Sequence, residues 1–443
     1  MTSSNDSPAV RAQYEELPYP PRDPREERQR LARTWLDDLP MINHYCFAGK
    51  QSFRDGFRAL VAGGGTGDAT IFLAEQLRNT GAEIVHVDLS SAGIDVARER
   101  AQVRGLANVR WVNASLLDMA REELGTFDYL NCAGVLHHLA DPDTGLRALL
   151  AALRDGGALG IMVYGQYART GVYQMQALMR LINQGETDTG RKIAAAREVL
   201  AALPATNWFK RGEADLYSDH VDLGDAGLFD LLLHAQDRAY SVGELYDWCH
   251  DTHGLHLEFT DVGRGRAAYI PEMVIGPREP QFLDTIRKLP VRTRQEIAEL
   301  LGGTLVTHSF FATRSPQAAA PYGDVEYVPF FYHEPLSGPE FATLIRHHHS
   351  RPFVVDHPHT GFSIRIDPGR FGEHILRHLD GKRSFGEIFS LVRAAPELSA
   401  TPPHDDELFR DFRAFFDSML AIDRVLLRHR GVAPPAEIPA IAQ

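Results

Sequence analysis

Leu60-Val-Ala-Gly-Gly-Gly-Thr-Gly-Asp68 is the stretch on which the fold turns. An apolar run breaks into glycines at 63, 65 and 67 and resumes as helical sequence. A buried strand therefore passes to a helix through a turn that brings backbone close to a ligand. Taken alone, such a cluster is also what any tight strand-to-helix turn collects. A second feature separates the two readings: the next apolar run closes on Asp88, twenty-one residues beyond Gly67. A carboxylate there is placed to accept hydrogen bonds from both ribose hydroxyls of a nucleoside. The third glycine comes one residue earlier than in the G-x-G-x-x-G of dinucleotide sites, which departs from the NAD pattern.

Outward from this turn, near-continuous apolar runs at 59–63, 83–88, 108–113, 127–133, 158–164, 255–260 and 304–313 read as strands buried on both faces. Helical patterns at 68–78, 91–103 and 143–154 separate the early ones, so the fold class is α/β with a Rossmann-like, seven-stranded sheet. Mostly helical sequence over 165–240 interrupts the alternation and is read as an insertion shaping a pocket. A capping box, Ser241-Val-Gly-Glu244, opens a helix through His250. Before the sheet, residues 1–40 form a Pro/Tyr-rich arm whose segment Tyr14–Pro24 is expected to run extended, its aromatics wrapping a domain. The sheet-bearing domain is assigned to 41–315. After the Pro/Ala/Gly-rich stretch Ser315–Gly323, residues 322–430 read as a small α+β unit with a hairpin at 353–356 and 362–367 and helices at about 370–379, 385–394 and 405–421. Residues 431–443 read as a disordered tail.

Composition removes other classes. Lysine and arginine total 46 against 59 acidic residues, a net charge of −13, which disfavours a polyanionic partner; no nucleic acid is expected. No run reaches the ~20 apolar residues of a membrane helix, and the N-terminus has no signal-peptide pattern. Cys46, Cys132 and Cys249 make neither a disulfide framework nor a thiolate cage. The chain is read as soluble and cytoplasmic, with no membrane partner. Eight of the 20 histidines fall between His333 and His378, and His374 and His378 have one-turn spacing. No third ligand is indicated there, so no metal is expected.

In order, Val61–Gly67, Asp88, Asn113-Ala-Ser-Leu-Leu-Asp118, Asn131-Cys-Ala-Gly-Val-Leu-His-His-Leu-Ala-Asp-Pro142 and Arg154-Asp-Gly-Gly157 resemble five motifs of the class I S-adenosylmethionine-dependent methyltransferases. The resemblance covers about residues 30–164 strongly and 241–313 weakly. It implies S-adenosyl-L-methionine as cofactor, admitted by Gly63, Gly64, Gly65 and Gly67 and held at its ribose by Asp88, with Leu89 a further cofactor contact. By the same resemblance Ser115 and Leu116 line the adenine, and Cys132, Ala133 and Gly134 lie beside the cofactor. Two positions depart from the pattern: Val61 and Ser115 stand where the family often has acidic residues.

Methyl transfer is an in-line displacement at a sulfonium, so the protein chiefly aligns the acceptor and removes its proton. His137 and His138 are the candidate bases past strand four; packing beneath the cofactor is the alternative for either. Past strand five, Tyr164 is a third catalytic candidate. Tyr167, Arg169 and Tyr173 are candidate acceptor contacts, with His234 and Arg238 closing from a second polar segment; helix start and salt-bridged loop are the competing readings. The expected acceptor is a small molecule or a peptide. Residues 375–388 are similar to small peptide-binding domains of precursor-modifying enzymes, within a module that resembles a winged helix-turn-helix. Peptide docking, a homodimer contact and plain scaffolding remain open for it, as does a reading of the whole chain as a regulatory protein that binds the cofactor and transfers nothing.

Overall fold

Successive residues of Arg58–Ala62 (β1) enter different cores: Leu60 and Ala62 join one apolar cluster, Ala59 and Val61 another. With a side-chain period of two, that is what a strand covered on both faces must do, and it explains the unbroken apolar run before the glycines. The computed structural model describes residues 8–54, 56–357 and 361–434. Its sheet continues with Glu83–Asp88 (β2), Val109–Asn113 (β3), Phe127–Ala133 (β4), Leu153–Gly165 (β5), Ala239–Tyr240 (β6), His256–Thr260 (β7) and Thr307–Thr313 (β8). The order is β3-β2-β1-β4-β5-β8-β7, with β6 joined to β5; β8 runs antiparallel to both its neighbours. This is the Rossmann-like sheet expected, its seven main strands all present. The strand order reverses between the parallel neighbours β1 and β4, so the ends of these strands open a crevice where ligands of doubly wound sheets bind.

Local differences have local causes. β5 begins at Leu153 rather than Ala158, because Phe127 pairs with Leu153 before the register shifts at Tyr129. The helix opened by the Ser241/Glu244 capping box is α-helical only over Val242–Leu245 and then widens to a π-helix over Tyr246–Thr252.

The arm is helical over Pro8–Glu16 (α1) and extended only beyond it. It lies across the mouth of the crevice. Ser90 Oγ donates to the Tyr14 carbonyl (2.9 Å) and Thr66 Oγ1 to the Pro20 carbonyl (2.6 Å), while Arg22 forks onto Asp68. Further along, Glu27 meets Arg100 at 2.6 Å and also Arg104, both on the helix Ser91–Arg104. Arg100, 1% exposed, reaches on to the Thr66 carbonyl and Asp68.

In the C-terminal unit, the expected hairpin forms as Phe353–His357 against Phe362–Ile366, and helices span Gly372–His378, Phe385–Arg393 and Asp405–Ala421. The sequence pattern did not foresee the helix Gly338–His347 or the pairing of Tyr327–Phe331 with Val425–His429. The last strand is tied to the helix Leu39–Cys46: Leu427 N–H donates to His44 Nδ1 (3.0 Å) and Tyr45 Oη donates to Asp423, which also accepts from Thr260 of β7 (2.8 Å). The segment 39–46 is therefore shared between the sheet and the C-terminal unit. Of the expected tail, 435–443 lie outside the described residues, as does His359. Among the described residues no helix is long and apolar enough to cross a membrane.

Candidate active site

A cleft of about 600 Å³ runs along the strand ends under the arm. At one end lies the glycine turn. Gly63 (φ +72°) and Gly65 (φ +52°) hold left-handed backbone, and a Cβ at Gly65 would come within 2.5 Å of the Tyr19 carbonyl oxygen. Glycine is thus required by conformation and by the approach of the arm together. Gly63, Gly64, Gly65, Asp88, Leu89, Ala133 and Gly134 all face the cleft. Asp88 Oδ2 accepts the Gly65 N–H (2.7 Å) and Oδ1 the Ser90 N–H (2.8 Å), which fixes the carboxylate and leaves each oxygen capacity for a further donor. Burial raises its pKa, against the pull of these backbone donors.

Four expected contacts do not face the cleft. Gly67 caps the helix Asp68–Gln76 in a left-handed turn, against Ala97. Ser115 Oγ accepts the Leu117 N–H at the head of a 3-10 turn, and Leu116 is buried in the core. Cys132 is fully buried, its thiol pushed up to about 12 by burial. The chain leaving β3 is drawn back by the Ala114 N–H and Asn113 Nδ2, both donating to the Asp88 carbonyl, which turns Ser115 and Leu116 inward.

A carboxylate the local pattern did not disclose stands at the cleft floor. Val61 pairs in register with Asn131, and Asn131 Nδ2 donates to both oxygens of Asp37 (2.9 and 3.0 Å). Thr34 Oγ1 donates to the same group, and burial pushes the Asp37 pKa up to about 7. The arm thereby supplies an acidic group beside the strand position where Val61 stands.

At the other end the two histidines part company. His137 is sealed, both ring nitrogens without a hydrogen-bond partner, and its ring packs 3.9 Å from that of Tyr164; burial holds its pKa well below the usual range. It is a packing residue, not a base. His138 lines the cleft. Its Nδ1 lies 3.0 Å from the Gln236 carbonyl, which only accepts, so the proton sits on Nδ1 and Nε2 keeps its lone pair. Among the described residues nothing hydrogen-bonds to that Nε2. Burial lowers the His138 pKa, so the ring is neutral at pH 7, and Asp230 is the first group opposing that shift.

Tyr164 also lines the cleft, its hydroxyl donating to Asp230 Oδ2 (3.1 Å); Tyr14 of the arm donates to Asp230 Oδ1 (3.0 Å). Arg169 lies with its guanidinium carbon 3.5 Å from the Tyr164 ring centroid and its Nη2 3.7 Å from Asp237 Oδ2, Nε and Nη2 sealed from solvent. Those two nitrogens do not reach an acceptor; the side chain braces Tyr164. Tyr173 lies behind Arg169, Tyr167 is 41% exposed outside the cleft, and Arg238 pairs with Glu244 at the surface. His234 stacks on His138 at 3.9 Å and supports it without lining the cleft.

His138, Asp230 and His234 bring ligand atoms within 4.8 Å of one another, the one such group among the described residues. The hydrogen bonds disfavour a cation there. His234 Nδ1 accepts the Gln236 N–H (3.1 Å), so the neutral ring carries its proton on Nε2, pointing at the Tyr14 hydroxyl (3.2 Å), where a metal would need a lone pair. In the histidine-rich segment, His357 is buried against Glu334 rather than solvent-facing.

Residues 60–159 match the family described as "Methyltransferase domain". Over 319 residues the chain is 34% identical to the uncharacterized protein syc1184_c of Synechococcus sp., covering 71% of this chain and 74% of that one. The chain belongs to the S-adenosylmethionine-dependent methyltransferases. The ubiquinone biosynthesis O-methyltransferase of Albidiferax ferrireducens is 30% identical over 159 residues, 35% of this methyltransferase and 59% of that protein. PKMT2 from Rickettsia typhi, solved in complex with AdoHcy, shares the fold over 89% of this chain and 76% of its own with a TM-score of 0.58 at 12% identity. S-adenosylmethionine is the cofactor, and the crevice suits it: glycine backbone for close approach, Asp88 for hydroxyls, Asp37 for a cation.

Proposed function

We propose that this methyltransferase moves the methyl group to a nitrogen or oxygen of a small molecule enclosed between the arm and the helical insertion. The observation that carries the reading is His138, a base of fixed tautomer, opening into the same cleft as the glycine turn and Asp88. The bound cofactor supplies an electrophilic methyl group on a sulfonium. Asp88 would hold its ribose hydroxyls and Asp37 its ammonium. Tyr14, Tyr19, Tyr164 and Tyr217 would close around the acceptor and exclude water. His138 Nε2 would take the acceptor's proton, and Asp230 would stabilise the resulting imidazolium.

The test is a screen of small amines and hydroxylated aromatics with the full chain, reading thioether cofactor product and methylated acceptor by mass spectrometry. Turnover that falls at least a hundredfold in His138→Gln, with cofactor-product affinity retained, supports the reading. Unchanged turnover in that variant would refute the base.

A further inference from the structure

The acceptor end of the cleft carries more negative charge than its neighbours offset. Asp230 accepts from two tyrosine hydroxyls, neutral groups that leave its charge in place. Asp219, at the start of the short helix Asp219–Asp222, lines the same cleft, and its carboxylate makes no hydrogen bond or ion pair among the described residues. Tyr19, Asp219 and Asp230 all line this cleft, and burial, then the charge of Asp230, raises the Asp219 pKa. The one cation lining this end among the described residues, Arg169, lies on the Tyr164 face and near Asp237, so its single charge is divided among Asp237, Asp230 and Asp219 and offsets them only in part. The histidines bring no charge, since burial keeps His138 and His234 neutral. Two carboxylates in a partly desolvated, tyrosine-lined space, sharing one guanidinium with Asp237, are costly without a further, cationic ligand. His138, only 7% exposed, lines that space, and among the described residues nothing hydrogen-bonds to its Nε2.

We infer that the methyl acceptor is the nitrogen of a small organic amine, held as its ammonium between Asp219 and Asp230 against the tyrosine faces. This deepens the proposed function and rests on it. The chemistry favours nitrogen over oxygen through the movement of charge. The ammonium first gives a proton to His138 Nε2. The nitrogen lone pair then forms the N–C bond as the C–S bond breaks, its electron pair passing to sulfur. The positive charge lost by the sulfonium arrives on the acceptor nitrogen, where the two carboxylates stabilise it. A hydroxyl acceptor must instead become an alkoxide or phenolate beside those carboxylates, which the same field opposes. Tyrosine faces add cation–π attraction for an ammonium that they do not offer an alcohol.

The experiment uses the full chain saturated with S-adenosylhomocysteine, whose uncharged sulfur leaves the acceptor end free of a competing cation. Phenethylamine, 2-phenylethanol and phenylacetate are titrated by calorimetry at pH 7, as cation, neutral isostere and anion. The amine should bind at least tenfold tighter than the alcohol, the acid should not bind, and Asp219→Asn should remove most of the amine's advantage while S-adenosylhomocysteine affinity holds. An alcohol that binds as well as the amine, an amine that does not bind, or an Asp219→Asn protein with undiminished preference overturns the inference. The amine-to-alcohol ratio in the unmodified protein decides the matter even if the variant folds poorly. Loss of S-adenosylhomocysteine binding in the unmodified protein would instead overturn the proposed function.

Discussion

Glu27→Gln should release the arm that roofs the cleft. Glu27 is 6% exposed and serves two guanidinium groups, Arg100 at 2.6 Å and Arg104. The amide keeps the shape but removes the charge and offers one acceptor oxygen for both. Breaking a buried pair by removing one partner costs about 3–5 kcal/mol. Here the lower end applies, because Arg100 retains Asp68 at 2.8 Å and Arg104 retains Glu75 at 3.4 Å. A loss of about 3 kcal/mol is roughly a hundredfold rise in the open population, at about 1.4 kcal/mol per factor of ten. Limited trypsinolysis reads that population when opening is fast relative to cleavage. Cuts after Arg28, Arg30 and Arg33 should accelerate by about two orders of magnitude, while the cut after the exposed Arg278, far along the chain from the arm, holds steady. S-adenosylhomocysteine should slow the arm cuts, since it binds the closed form better. An arm-cleavage rate within threefold of the unmodified protein, or an equal rise at Arg278, would refute the clasp.

Other consequences are more compact. Asp88→Ala should weaken S-adenosylhomocysteine binding at least tenfold by calorimetry, since hydrogen bonds to a charged acceptor contribute about 1.5–3 kcal/mol each; undiminished affinity in folded protein would contradict the ribose role. The turnover rate should stay level from pH 8 down through the ordinary histidine range and fall only in more acid solution, because burial depresses the His138 pKa. A break centred near pH 6.5 would contradict that environment. Between about pH 4 and about pH 7, Asp37, with a folded pKa of about 7 against 3.8, is protonated in the folded chain while already ionised in the unfolded one. Its contribution to stability is therefore present at low pH and is lost as pH rises from about 4 to about 7. Relative to Asp37→Asn, urea unfolding of the unmodified protein should show a decline of a few kcal/mol over that window; parallel curves would show that Asp37 is not desolvated.

How much the sequence disclosed depends on the distance over which each feature is decided. The seven strands, the glycine turn, Asp88 and the pair His137-His138 are set by neighbours within a few residues: apolar runs, positive-φ glycines and a carboxylate at a strand end. Peptide-scale pattern could not say which histidine faces the cleft. That follows from Gln236, about a hundred residues on, whose carbonyl fixes His138 and whose N–H fixes His234. Ser115 and Leu116 were misplaced for a comparable reason, because hydrogen bonds to the β2 backbone at Asp88, not the local sequence, turn that segment inward. The proline-rich arm announced that it wraps, but nothing in Trp35-Leu-Asp37 announced a carboxylate set against Asn131.

By itself, then, the sequence determined a doubly wound sheet, a glycine turn at the end of its first strand and a methyltransferase. These rest on short-range periodicity and backbone conformation, which a linear pattern records. The tertiary structure decided the acceptor end. Tyr14, Asp219, Asp230 and His138 converge from the arm, the insertion and the loop after β4, and their charges and protonation states exist only once burial and long-range hydrogen bonds have brought them together.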